Sequence, residues 1–263
     1  MRSTVLEHDI AQVVEMVRQG KRLDGRGFEE MRAFTVEVNK YLNAEGSARV
    51  VLGETEVVAG LKMEVGKPYP DNPDAGAISV GAEMLALAHS EYESGAPSFD
   101  EIEVARVVDR GIREGKALDF EKFCIKSGEA VWIAYLDFYA INSDGNLFDA
   151  GSIACLATLM NGKKPKIDAN NKIIDNEFEG KLELKRLPLL TTFVKIAGKI
   201  LVDPTYLEEK AAETRFSVAT TEDGLMSAMQ KGMNGSFTLD EVNYMIDVAF
   251  KVGKETRKQI QKL

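Results

Sequence analysis

Cysteine and histidine are almost missing from this sequence. Cys124, Cys155, His8 and His89 are the only examples in 263 residues, and none is a near neighbour of another. That scarcity excludes a disulfide scaffold and argues against a transition-metal centre. Each cysteine stands among apolar residues, in FCI and ACL, and reads as a buried free thiol, which fits a cytoplasmic protein. Long apolar runs are lacking as well: no stretch reaches the ~18 residues that mark a membrane helix. The opening MRSTVLEHDIAQVVEMVRQG mixes acids into an amphipathic pattern. It has neither the unbroken apolar stretch nor the small-residue cleavage site of a signal peptide. An excess of positive charge is missing too. Asp and Glu number 42 against 33 Lys and Arg, a net charge of −9. A protein that binds nucleic acid over its whole surface is normally basic, because phosphate neutralisation supplies most of the affinity. Any such contact here has to be local, or shared with a partner.

What is present is an α/β pattern long enough for one large domain or two modest ones. Residues 1–20 predict a helix, with Val5, Ile10, Val13, Val14 and Val17 at helical spacing and Gly20 at its end. RLDGRG (22–27) is a turn-rich connector. Alternating runs at 33–38, 47–52 and 55–65 predict strands, the last two joined by the tight turn LGET. AISVGAEMLALA is ambiguous between strand and helix, with propensity favouring a helix from Ala82. Residues 100–117 predict an amphipathic helix with Ile102, Ala105, Val108 and Ile112 on its apolar face. Asp100 is the candidate N-cap, with Glu103 completing a box. KFCIK and the aromatic run EAVWIAYLDFYAI predict strands. From Ser152, IACLATLM is apolar throughout and reads as a core helix.

The polar stretch 161–181 reads as a linker or an excursion between a first half, 21–165, and a second, 182–263. That second half shows strands near 182–185, 191–197 and 199–202, a short helix, two more strands and a long final helix capped by Thr238. Trp132 reads as packing. Met63, Met84, Met160, Met226 and Met229 read as core filler. Lys62, Lys67 and the loop 66–76 point nowhere in particular.

The order of these pieces resembles the RNase PH family. RLDGRG is similar to that family's Arg-x-x-Gly-Arg element, and it is followed by the hairpin GSARVVLGETEVVAGLKMEV, the helix VARVVDRGIRE, a strand ending in NSDGN, the DAGSIA helix and LVDPTYLEE…TTEDG. The likeness spans roughly residues 20–255, and in most detail it resembles the non-catalytic ring subunits of archaeal exosomes. It implies an RNase PH-type fold of two pseudo-symmetric βαβ-containing halves with mixed sheets and a long C-terminal helix. It also implies a hexameric ring of three heterodimers whose active sites lie on a catalytic RNase PH-like partner subunit, with RNA-binding cap subunits and single-stranded RNA as further partners. Neither a cofactor nor a metal is expected of this chain, nor any membrane association.

Active members of the family degrade RNA from its 3′ end with inorganic phosphate as the attacking group. That chemistry needs cationic or N–H donors around one anion held against another, and a carboxylate for proton transfer or metal binding. Active members carry a Gly-Thr-Arg or Gly-Ser-Arg loop before the core helix. Here the corresponding residues run Gly145-Asn146-Leu147-Phe148-Asp149-Ala150-Gly151, with no Arg or Lys and with Asp149 expected to repel phosphate. Active members also carry two aspartates six residues apart. Alignment places Glu209 and Arg215 there, with Asp203 and Glu213 as spare candidates. No catalytic residue is therefore assigned. The alternatives are an active phosphorolytic 3′→5′ exoribonuclease using Glu209 and Asp203, or a self-assembling binding module of the same fold.

Arg106, Arg110 and Arg113 fall at i, i+4 and i+7, one stripe of the 100–117 helix. Taken alone they form a solvated face paired with Asp109, Glu103 or Glu114. The resemblance implies contact with RNA or phosphate, with Arg110 beside small Gly111 as first choice. Arg22, Asp24, Gly25 and Arg26 of RLDGRG are expected to be a structural motif that orders the first strand, and a ring-facing role is the alternative.

Overall fold

A computed structural model describes residues 2–262, with side chains from Leu6 onward. The side chain of Val5, placed on the first helix's apolar face, lies outside the described residues. The first half is a sheet of β1 (Phe34–Val38), β2 (Gly46–Leu52), β3 (Thr55–Gly66), β6 (Ala130–Asn142) and β4 (Ala77–Met84) in that spatial order, with short β5 (Cys124–Lys126) also on β6. The second half is an antiparallel sheet, β10 (Lys199–Val202), β9 (Leu189–Ile196), β11 (Thr214–Thr220) and β12 (Met226–Gly232). Each half contains a helical crossover. The helix α2 (Phe99–Glu114) joins β4 to its parallel neighbour β6, and α4 (Tyr206–Ala211) joins β10 to β11 across β9. The remaining helices are α1 (Arg2–Arg18), α3 (Leu147–Asn161) and α5 (Leu239–Ile260).

The helix α3 is the layer between the two sheets. It packs on β2 and β3 from one side and on β9 from the other. That position explains its composition. Every residue from Leu147 to Leu159 is buried, so no polar face is needed, and Ile153, Ala154 and Cys155 are fully enclosed. Burial pushes the Cys155 thiol pKa well up, leaving it inert.

Local structure departs from the sequence pattern in five places. The segment favouring a helix from Ala82 is strand through Met84, because the parallel ladder with β6, from Ala77↔Ile133 to Met84↔Ala140, outweighs propensity. A Cβ on Gly81 would sit 2.3 Å from Asp137 Oδ1, so a larger residue there has to push that carboxylate aside. The N-cap of α2 is Ser98, not Asp100: Ser98 Oγ accepts from the Glu101 N–H at 3.2 Å, and Glu101 accepts from the Ser98 N–H at 2.6 Å. The core helix begins at Leu147 rather than Ser152, because Asn146 caps it in the left-handed region at φ 54°. The polar stretch after it is an antiparallel hairpin, β7 (Lys163–Ile167) with β8 (Ile173–Lys181), held by Lys164–Glu179 and Lys166–Glu177 ion pairs. It is followed by a single bridge, Leu118↔Leu184, where a strand was expected.

Two of the five methionines read as core filler, Met226 and Met229, are instead about half exposed on the edge strand β12. Met63 and Trp132 are buried. Thr238 caps α5 with a capping box to Glu241, as the pattern predicts.

Truncating α3 at its centre should be among the most damaging changes in the chain. Leu156→Ala, at 1% exposure, leaves a cavity in the main core and should cost roughly 2–5 kcal/mol. The urea midpoint should fall accordingly, and a shift within experimental error would contradict the layered arrangement.

Candidate functional site

The site is assembled around one carboxylate. Asp203 follows β10 at φ 49° and is fully buried. Its Oδ1 accepts from Arg32 Nη2 at 2.8 Å and Asn146 Nδ2 at 2.6 Å. Its Oδ2 accepts from Arg32 Nε at 2.9 Å, the Arg32 N–H at 2.8 Å and Arg26 Nη1 at 3.0 Å. Burial alone would raise its pKa, but Arg32, Asn146 and Arg26 overcome that and hold it below the usual carboxylate range. Beside it, buried Arg22 grips Glu208 of α4 with two bonds, 2.8 and 2.6 Å, and donates to the carbonyls of Val202 and Asp203 at 2.9 Å each. Arg26 also bonds Asp24 at 2.6 Å, and Gly25 takes φ 80°, which makes the turn. The structure thus brings Arg22, Asp24, Gly25 and Arg26 together against the second half. Sequence reasoning missed Arg32, Asn146 and Glu208, whose partners are remote in the chain.

Asn146 passes this network on to the start of α3. Its side chain donates to Asp149 Oδ2 at 2.9 Å, and its N–H donates to Glu209 Oε1 at 2.9 Å. Asp149 is fully buried and accepts from the Thr192 N–H at 3.0 Å, so it faces the core. This corrects the expectation that it would repel phosphate at close range. Burial, aided by the charge of Asp203, pushes the Asp149 pKa up to about 7, and its Oδ1 has no hydrogen-bond partner. Glu209 is likewise pushed up to about 7, chiefly by burial.

Glu209 and Arg215 meet in one cavity of about 320 Å³, walled also by Tyr92, Glu103, Phe148 and Tyr206. The Arg215 guanidinium lies 4.1 Å from the Phe148 ring centre and pairs with Glu103 at 2.5 Å. Lys210, the other cation in the wall, pairs with Glu91 at 2.8 Å. Glu91, Asp100, Glu103 and Glu209 thus face two cations that are already neutralised. An incoming phosphate would find no free donor cation and a net negative wall. The spare candidates lie elsewhere: Asp203 is closed within its network, and Glu213 accepts from the Ala197 N–H on the surface.

The arginine stripe divides. Arg106 is exposed and has no ion-pair partner among the described residues. Arg110 Nη1 donates to Gln230 Oε1 of β12 at 3.2 Å. Arg113 pairs with Asp109. Among the described residues no group of His, Cys, Asp or Glu forms a metal-binding cluster.

Two α/β halves clasping a shared central helix, with a cavity beside the start of that helix, define the RNase PH-type architecture. The model of the 3′ exoribonuclease family, domain 1, matches residues 30–165, and that of domain 2 matches residues 186–252. The chain belongs to this 3′ exoribonuclease, or RNase PH, family. It is 42% identical to the exosome complex component Rrp42 of Thermococcus kodakarensis over 95% of this chain and 93% of that one. It is 41% identical to the protein of the same name from Methanocella arvoryzae, over 95% of this chain and 94% of the relative. Among solved structures, a chain of the Archaeoglobus fulgidus exosome with RNA bound to the active site superposes with a TM-score of 0.92 at 39% identity, covering 97% of this chain and 99% of that one. A chain of an archaeal exosome core superposes at 0.88 with 36% identity, covering 99% of each.

The raised Asp149 pKa sets a pH dependence. A carboxyl that holds its proton more tightly when folded stabilises the fold fully below its unfolded pKa, near 4, and loses that contribution as pH rises through the folded value. The stability of the chain relative to Asp149→Asn should therefore fall between about pH 4 and pH 7 and level off above. A flat difference in denaturant midpoints across that range would contradict the assignment.

Proposed function

We propose that the chain is a non-catalytic subunit of an archaeal-type exosome. It pairs with a catalytic RNase PH-like subunit in a ring of three heterodimers that carries RNA-binding cap subunits, and it works in the cytoplasm. The observation that carries this reading is the pocket. Arg215 stands, paired and stacked, where an active member places its second aspartate. The loop before α3 offers Leu147 and Phe148 where that member places a phosphate-binding arginine. Either change alone would weaken phosphorolysis, and together they remove both the anion site and the carboxylate pair. The relatives' names and the likeness to exosome chains support the same reading. Among the described residues no helix is long and apolar enough to cross a membrane.

On this reading the chain contributes architecture through the Asp203 network and local positive charge through α2. Arg110 and Arg106 are the RNA contacts. Arg113, neutralised by Asp109, contributes less. A few aligned arginines on an acidic chain supply a cationic spot without a basic surface.

The purified chain, given single-stranded RNA, inorganic phosphate and magnesium, should release no nucleoside diphosphates, and mixing it with its catalytic partner should produce them. Release by the chain alone, abolished by Glu209→Ala, would overturn the proposal. In the assembled ring, Arg110→Ala should lower the slope of log affinity against log salt by about 0.7, the value of one single-strand phosphate contact. An unchanged slope would return Arg110 to the solvated face.

A further inference from the structure

The residue that spoils the pocket for phosphate is connected to the arginine assigned to RNA. We infer that Arg215 is a positioning residue, acting through Glu103 and Gln230 to hold the Arg110 guanidinium at the surface. This rests on the reading of Arg110 as an RNA contact and deepens it.

The chain of contacts is short and continuous. Arg215 Nη2 donates to Glu103 Oε1 at 2.5 Å, and Gln230 Nε2 donates to the same oxygen at 3.4 Å. The amide of Gln230 is thereby oriented with its oxygen outward, where it accepts from Arg110 Nη1 at 3.2 Å. Glu103 and Arg110 are seven residues apart on α2, so they lie on one face two turns from each other. Gln230 stands opposite Ser217 on β12, and Arg215 is opposite Gly232. The four side chains therefore cross between the crossover helix of the first half and the edge hairpin of the second.

Charge explains why an arginine serves at this position. Glu103 in the half-enclosed pocket wall needs a cation. If it found none, it would compete for the arginines of its own helix, Arg106 one turn on and Arg110 two turns on, and draw them from the surface. Arg215 satisfies Glu103 from behind, and Gln230, a neutral relay, then holds Arg110 without cancelling its charge. Compare Arg113, which is directly paired with Asp109 and so neutralised. An aspartate at position 215 would repel Glu103 and remove this support.

A second feature keeps the guanidinium in place. A Cβ on Gly232 would lie 2.6 Å from Arg215 Nη2 and 2.9 Å from its Cζ. The side chain of Arg215 thus runs across the bare backbone of Gly232 to reach Glu103, with the Phe148 ring behind it. Gly232→Ala should displace the guanidinium without changing any charge, and without backbone strain, because Gly232 is not in the left-handed region.

The test uses the ring assembled with its catalytic partner. KM for single-stranded RNA and kcat are measured for Gly232→Ala, Gln230→Leu, Arg215→Met and Arg215→Lys, each with Arg110 intact and each combined with Arg110→Ala. Ring size and melting temperature are recorded for every variant. Gly232→Ala, Gln230→Leu and Arg215→Met should raise KM roughly three- to tenfold with kcat unchanged, and Arg215→Lys should recover most of the loss. None should add to Arg110→Ala, since all act through that side chain. Undiminished effects in the Arg110→Ala background would show that the four residues act independently and would overturn the inference. So would normal KM values for all of them beside a large effect of Arg110→Ala. No effect of Arg110→Ala itself would instead remove the RNA-contact reading, and this inference with it.

Discussion

The geometry of the molecule depends on Asp203. A fully buried carboxylate is tolerated only when its charge and lone pairs are answered, and this one is answered by Arg26, Arg32 and Asn146 together. Those three residues come from the connector, from the approach to β1 and from the cap of the central helix. The carboxylate itself follows the second strand of the second half. One side chain therefore fixes the angle between the halves and the point at which α3 begins. The bidentate Arg22–Glu208 pair adds a parallel tie from the connector to α4. Removing a single member would strand a buried charge, which is far more harmful than never having had the pair.

The same network accounts for the pocket's chemistry. The N-terminal end of a helix ordinarily offers unpaired N–H groups to an anion. At α3 two of those donors are used from within: the Asn146 N–H serves Glu209, and the Asp149 N–H faces the Asn146 side chain. Arg215 and Lys210, the two cations nearby, are matched by Glu103 and Glu91. The pocket is open but has no unpaired cation to hold phosphate. What stays available lies outside it, at Arg106 and Arg110 on α2.

Much of this was legible in the sequence wherever the signal was local. Alternation located β1, β2 and β3, a long aromatic run located β6, Thr238 marked the last helix, and a uniformly apolar stretch betrayed a helix buried between layers. The ordered motifs carried the family, and Glu209 and Arg215, placed by alignment at the family's two-aspartate positions, line one cavity. Signals that depend on distant partners were not legible. Arg32 and Asp203 are 171 residues apart, and nothing near either one announces the contact. From Ala82 the end of β4 has a propensity that favours a helix, and only its ladder with β6 decides otherwise. Ser98 and Asp100 are both plausible caps, and the choice follows from Glu101 reaching back. Met226 and Met229 resemble core residues until β12 is seen to be an edge.

Binding of inorganic phosphate to the isolated chain, followed by titration calorimetry, tests the central claim most directly. The account predicts no saturable heat, because each cation of the pocket is already paired and its wall carries more carboxylates than cations. One-to-one binding that disappears in Arg215→Ala would contradict it.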